Sequence, residues 1–361
     1  MNTTKISSYG KLIAFFVVVT VLLSTFAIAA GGWQITLPPE DEPQLPDGDG
    51  DDNLTDNTPS QDDNQQNNTP VLPKYYDYIT GLEITEAQSE EKQFAYVIDS
   101  NSPLYGIYDC SMLIEFPMES GTRFLMFTNR QRDYNKIGSI APTRNYISNL
   151  AYVFGARIVS LGSDDAILYD SLDSSNITID LLQNQGSYYS EYTYFSYTNP
   201  TLVSPLDNSE KVDVTLPYDL VDIGNKVLSG TVSAHNISLP YQSPTSLRYS
   251  SQTGKYTLIK SNSDRIDVSS ASEVSFDNVF VLFADSMTYE NATTTEMVMN
   301  TLGSGEGYYI QCGVAERISW ALTPDGQMVF YNTDGVKLTV NRGNSYIGFI
   351  KSSKMNNVLF S

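Results

Sequence analysis

The side chains that could do chemistry are few, and their spacing excludes most familiar machinery. Histidine occurs once, as His235 in Val-Ser-Ala-His-Asn-Ile-Ser-Leu, an alternating stretch that reads as a half-exposed strand. A nucleophile activated by imidazole would have to use that residue. Cys110 and Cys312 are the only cysteines. Two are too few for a disulfide framework, and they read as two separately buried thiols, with a disulfide outside the cytoplasm as the alternative. No cluster of His, Cys and carboxylates has zinc-ligand spacing. The acidic run Asp47-Gly-Asp-Gly-Asp-Asp52 lacks the glutamate that would close a calcium loop near its twelfth position. Gly303-Ser-Gly-Glu-Gly307 opens a strand-like run, so its glycines read as turn glycines rather than a phosphate cradle. The sequence therefore assigns no catalytic residue, no metal and no cofactor.

Five charged residues remain as ligand-binding candidates: Asp99, Glu115, Glu119, Arg123 and Arg144. Asp99 ends the apolar run Phe94–Asp99, and polar groups at strand ends often line clefts. Glu115 sits in Met-Leu-Ile-Glu-Phe among core residues. A carboxylate there needs a partner, because burying an unpaired charge is expensive. Arg123 or Arg144 is the expected partner through a two-point bond. An internal ion-pair network is the main expectation. Two carboxylates about 5–10 Å apart in a cleft would serve glycosidic acid–base chemistry instead.

The elements that must position these groups are legible as patterns. Order begins near Lys74-Tyr75-Tyr76. Phe94 to Asp99, Ser111 to Phe116, Arg123 to Thr128 and Arg157 to Leu161 read as strands. Tyr146, Leu150, Val153 and Phe154 recur at helical spacing between Pro142 and Phe154, with Gly155 as a stop. Asp164 to Leu172 reads as a short helix opened by acids. From about residue 211 the alternation has period two, in Lys211 to Leu216, Leu247 to Ile259 and Phe276 to Phe283. Turn chemistry at Ser251–Gly254, Pro324–Gly326 and Asp334–Gly335 separates strand-like runs. The expected class is α+β, with a mixed α/β domain over 74–205 and a mostly β domain over 206–361.

The chain's N-terminal stretch is of another kind. Lys5 and Lys11 precede Leu12 to Ala29, which has neither charge nor proline. Eighteen residues span about 27 Å as a helix, close to the hydrocarbon thickness of a bilayer. Residues 1–11 are thus expected in the cytoplasm and 12–30 as a transmembrane anchor, with the rest outside. Ala27-Ile-Ala29 makes a cleaved signal peptide, and a secreted protein, the alternative. Ten acids and no Lys or Arg lie between Glu40 and Asp63. Residues 31–73 therefore read as a disordered acidic linker with too little to bury. A formal net charge of −21 argues against nucleic acid, which needs a concentrated basic face.

Several stretches resemble the DUF3048 family of YerB-like envelope lipoproteins, over roughly residues 74–353. They are Ile79-Thr-Gly-Leu82, Val97-Ile-Asp-Ser100, Glu115 to Glu119, Gly121-Thr-Arg-Phe124 and Lys136-Ile-Gly138 to Arg144-Asn-Tyr146. Tyr241-Gln-Ser-Pro to Arg248-Tyr, Thr253-Gly-Lys-Tyr256 and Gly303 to Gly307 follow in the same order. The family carries a lipobox cysteine, whereas no cysteine precedes Cys110 here, so the hydrophobic segment takes over the tethering. Ala141 stands where the family has its first arginine, Asn149 where it often has aspartate, and Ser160 and Pro200 where relatives have histidine. The resemblance assigns no activity. The expected function is a non-enzymatic extracytoplasmic module that meets an envelope protein or cell-wall partner. A wall-polymer hydrolase or a solute-binding protein is the alternative.

Overall fold

Alternation along each strand decides which layer its side chains join. In Phe94–Asp99, Phe94, Tyr96 and Ile98 enter one core and Ala95 and Val97 the other. A strand buried on both faces must lie inside a sheet with layers on either side. The computed structural model describes residues 74–164, 178–192, 194–210, 214–221, 228, 232–290, 295–323 and 326–361. The expected anchor, the acidic linker and all but the first residue of the expected 164–172 helix lie outside them. Among the described residues, no helix is long and apolar enough to cross a membrane.

The body is mostly β. An eleven-stranded mixed sheet runs in the order Val232–Ser233, Val314–Leu322, Ser304–Gln311, Asn278–Ala284, Ser345–Lys351, Met112–Pro117, Thr122–Phe127, Phe94–Asp99, Arg157–Ser160 and Thr178–Asp180, with Met328–Tyr331 branching from Val314–Leu322. Ser345–Lys351 runs parallel to both its neighbours, Asn278–Ala284 and Met112–Pro117. The two halves expected on either side of residue 205 therefore share one sheet. Helix Asn145–Val153 packs on one face through Tyr146, Ile147 and Leu150. A second sheet, built on Asn236–Leu239, Thr245–Ser250 and Lys255–Lys260, covers the other face with Ile237, Leu247, Tyr256 and Leu258.

Strand positions match the sequence reading to within a residue or two, and the departures have local causes. The helix expected from Pro142 begins only at Asn145, because Arg144 is extended at φ −134°. It ends before Gly155, whose φ of +62° suits glycine. The described α-helices of the N-terminal half are Glu86–Glu90, Asn145–Val153 and Pro200–Val203, of which the sequence reading expected only the second. Residues 214–216 of the expected 211–216 strand belong to no strand. Both thiols are free: Cys110 is buried, and Cys312 is exposed in the turn between Ser304–Gln311 and Val314–Leu322.

Candidate functional site

Glu115 occupies a position dictated by strand periodicity. In Met112–Pro117, Met112, Ile114 and Phe116 join the helix-side core, so Leu113 and Glu115 face the second sheet. Lys260 follows Tyr256 and Leu258 at period two in Lys255–Lys260 and points back at it. The two meet with Nζ 2.7 Å from Oε1, at 2% and 0% side-chain exposure. Thr122 and Thr245 donate to the same oxygen at 2.6 and 3.0 Å. Tyr346 donates to Oε2 at 2.6 Å, and Tyr241 to the Glu115 carbonyl at 3.2 Å. Lys260 also reaches Thr122 and Thr245 at 2.7 and 3.1 Å. Burial and the Glu115 charge push the Tyr346 hydroxyl well above its ordinary pKa, which keeps it a proton donor. The expected burial of Glu115 holds, but its partner is Lys260 rather than Arg123 or Arg144. Both carboxylate oxygens are committed to internal bonds.

Arg123, Arg144 and Glu119 gather in a second centre. Arg144 grips Glu119 with Nη1 and Nη2 at 2.8 and 3.1 Å. Its Nε donates to Asp164 at 2.6 Å, and Nη1 lies 3.6 Å from Glu296. Arg123 donates to the other Asp164 oxygen at 3.0 Å and to the Pro142 carbonyl at 2.7 Å. The Met297 backbone N–H donates to Glu119 at 2.5 Å, tying the Thr295–Met299 strand to the centre. Burial disfavours the Arg144 charge, but the Glu119 and Asp164 bonds outweigh it and raise its pKa. For Glu119, burial is likewise outweighed by the Arg144 and Met297 bonds, and its pKa falls below the ordinary value. A carboxylate with a lowered folded pKa contributes stability that is present above its unfolded pKa and lost as pH falls through the folded one. The melting temperature is therefore expected to drop on acidification below the ordinary carboxylate range, and Glu119→Gln should flatten that slope in pH-dependent melts.

Asp99 stands apart from both centres. It accepts from Ser102 Oγ at 2.6 Å and from the Asn101 N–H at 3.0 Å, closing the turn after its strand. Burial lowers the pKa of Arg265, and the Asp99 charge opposes that shift. Sequence reasoning missed Lys260, Thr122, Thr245 and Asp164. For Lys260 a signal existed: it continues the buried face of Tyr256 and Leu258. For Asp164 only tertiary packing brings it to Arg144.

A cleft of about 340 Å³ lies beside both centres, lined among others by Glu119, Gly121, Tyr241, Gln242, Lys351 and Lys354. The Gly121 N–H donates to Gln242 Oε1 at 3.2 Å, fastening the 117–122 turn to the loop at 240–242. The sequence stretches Glu115 to Glu119, Gly121 to Phe124 and Tyr241 to Pro244 thus converge here. Ser160 is buried, and its hydroxyl has no hydrogen-bond partner among the described residues. Pro200 opens a short helix capped by Asn199, a position where proline's missing N–H costs nothing. Among the described residues, no group of His, Cys, Asp and Glu is placed to hold a metal ion.

Residues 236–347 match the family described as the DUF3048 C-terminal domain, a protein family of unknown function. No curated protein matches the chain. The crystal structure of YerB protein from Bacillus subtilis is similar, with a TM-score of 0.65 at 17% identity, over 80% of this chain and 100% of that one. At that identity the likeness concerns the fold. The chain is thus similar to YerB in fold, and its residues 236–347 match the DUF3048 C-terminal domain.

Proposed function

We propose that the protein is a non-enzymatic binding module held outside the cytoplasmic membrane. In this reading residues 12–30 anchor it, the acidic stretch 31–73 spaces it from the bilayer, and the body meets an envelope protein or a wall polymer. The body would present two unlike parts, a 74–205 half carrying the Asn145–Val153 helix and a 206–361 half built almost wholly of strands. The observation that carries the reading is the commitment of the candidate side chains. Glu115 is bonded to Lys260 and three hydroxyls, and Glu119 is held by Arg144 and a backbone N–H. Groups so tied hold a surface in shape, and the cleft they support is the favoured contact region.

The test uses the full chain in detergent, applied to isolated wall material and to membranes stripped of it. Retention on either, without change to the wall polymer, is the expected result. Release of soluble sugar from the wall would overturn the non-enzymatic reading, and absence of retention on both would overturn the binding reading. Mass spectrometry of the native protein should find residues 12–30 still attached; a mature N-terminus at Ala30 or Gly31 would replace the anchor with a cleaved signal.

A further inference from the structure

A second cleft, of about 420 Å³, lies away from the charged centres, between the outward face of two long strands and the chain's last residues. Cross-strand pairing places Glu306 opposite Ser319 and Tyr308 opposite Arg317, all on one face of the sheet. Farther along that face, Ile310 and Ala315 are sealed by the second sheet. The cleft is therefore where that covering stops. Gly307 between the two facing residues is required, because a Cβ there would come within 2.5 Å of the Val281 carbonyl oxygen.

The lining has a definite chemistry. Tyr308 is wedged by Phe360 at 4.9 Å and Phe283 at 6.1 Å between ring centroids, with interplanar angles of 66° and 89°. Its orientation is therefore fixed by packing. The Arg317 guanidinium lies 5.8 Å from the Tyr308 centroid. Glu306, Arg317 and Ser319 are exposed. They supply one acceptor, one planar donor and one hydroxyl beside an aromatic wall. One cation and one anion leave the lining with no net charge, in a protein whose formal net charge is −21. An anionic polymer finds no attraction there and meets long-range repulsion from the rest of the chain.

We infer that this cleft binds an uncharged segment of a glycan chain. A pyranose ring presents flat C–H faces that pack on aromatic rings, while its hydroxyls need both donors and acceptors at the rim. An aromatic wall beside Glu306, Arg317 and Ser319 meets both needs. The inference adds a site to the envelope-module reading, apart from the cleft beside the charged centres, and rests on that reading for the protein's access to wall polymers.

The test is a titration of the full chain in detergent with chitotetraose, followed by ligand-observed NMR. Saturable binding is expected, with little change between about 50 and 500 mM salt, because the contacts involve no ligand charge. Tyr308→Ala is expected to weaken binding at least tenfold. Arg317→Ala and Glu306→Gln should each weaken it severalfold; both residues are exposed, so their melting temperatures should match the parent's and fold loss cannot mimic the effect. No saturable binding, or binding that all three variants keep, overturns the inference. If the parent chain is still retained on wall material in either case, the binding-module reading stands and only the glycan site falls. Affinity for chitotetraose that collapses with salt means that ring packing and hydroxyl contacts do not hold the ligand, and also overturns it.

Discussion

Glu115→Ala is expected to destabilise the body by about 3–5 kcal/mol, the cost of leaving a buried charge without its partner. The residue left behind is Lys260, at 2% side-chain exposure and 2.7 Å from the lost carboxylate. Thr122, Thr245 and Tyr346 lose their acceptor as well, and each buried donor left unsatisfied adds its own penalty. For a body of this size, about 2–4 °C per kcal/mol puts the drop in melting temperature at roughly 10 °C. The paired change Glu115→Met with Lys260→Met should recover the part of that loss due to the stranded ammonium, while the three hydroxyls still lack their acceptor. Thermal melts of the single and double variants measure the coupling directly. A Glu115→Ala protein as stable as the parent would mean that the pair does not fasten the two sheets, and that Glu115 tolerates exchange as a strained functional group would.

Arg144→Ala should have the next largest effect, about 3 kcal/mol, by the same logic of stranded charge. Its guanidinium answers Glu119, Asp164 and Glu296 together. Removing it leaves three carboxylates facing one another, of which Arg123 answers Asp164. Lysine should not rescue the site, since a single ammonium cannot reproduce the two-point grip on Glu119 and the Nε bond to Asp164. Urea melts at neutral pH measure the loss. Because the stranded acids can take up protons, the gap between parent and variant should narrow on acidification. A constant gap across that range would show that repulsion among the acids is not its cause.

These centres bring together stretches that lie far apart along the chain. Ser345–Lys351 sits between strands of the two halves, so residues more than a hundred positions apart become neighbours. Gly121 and Gln242 fasten two such stretches, and Tyr346 reaches Glu115 from the strand in between.

Local chemistry by itself determined the elements. Short apolar runs located Phe94–Asp99, Met112–Pro117 and Thr122–Phe127 to within a residue, and helical spacing with Gly155 located Asn145–Val153. It also determined that Glu115 would be buried and need a partner, because a carboxylate within an apolar strand has no other stable state. Which partner it takes was decided only by the tertiary structure. Arg144 and Arg123 were nearer in sequence, but alternation turns Glu115 toward the second sheet, where Lys260 is the cation on the facing strand. The division of the body was likewise beyond local reading. Residue 205 marks a change of pattern, yet strand pairing is a non-local bond that joins edges wherever their unpaired N–H and C=O groups meet. A parallel strand inserted between one strand of each half leaves no trace in the periodicity of either.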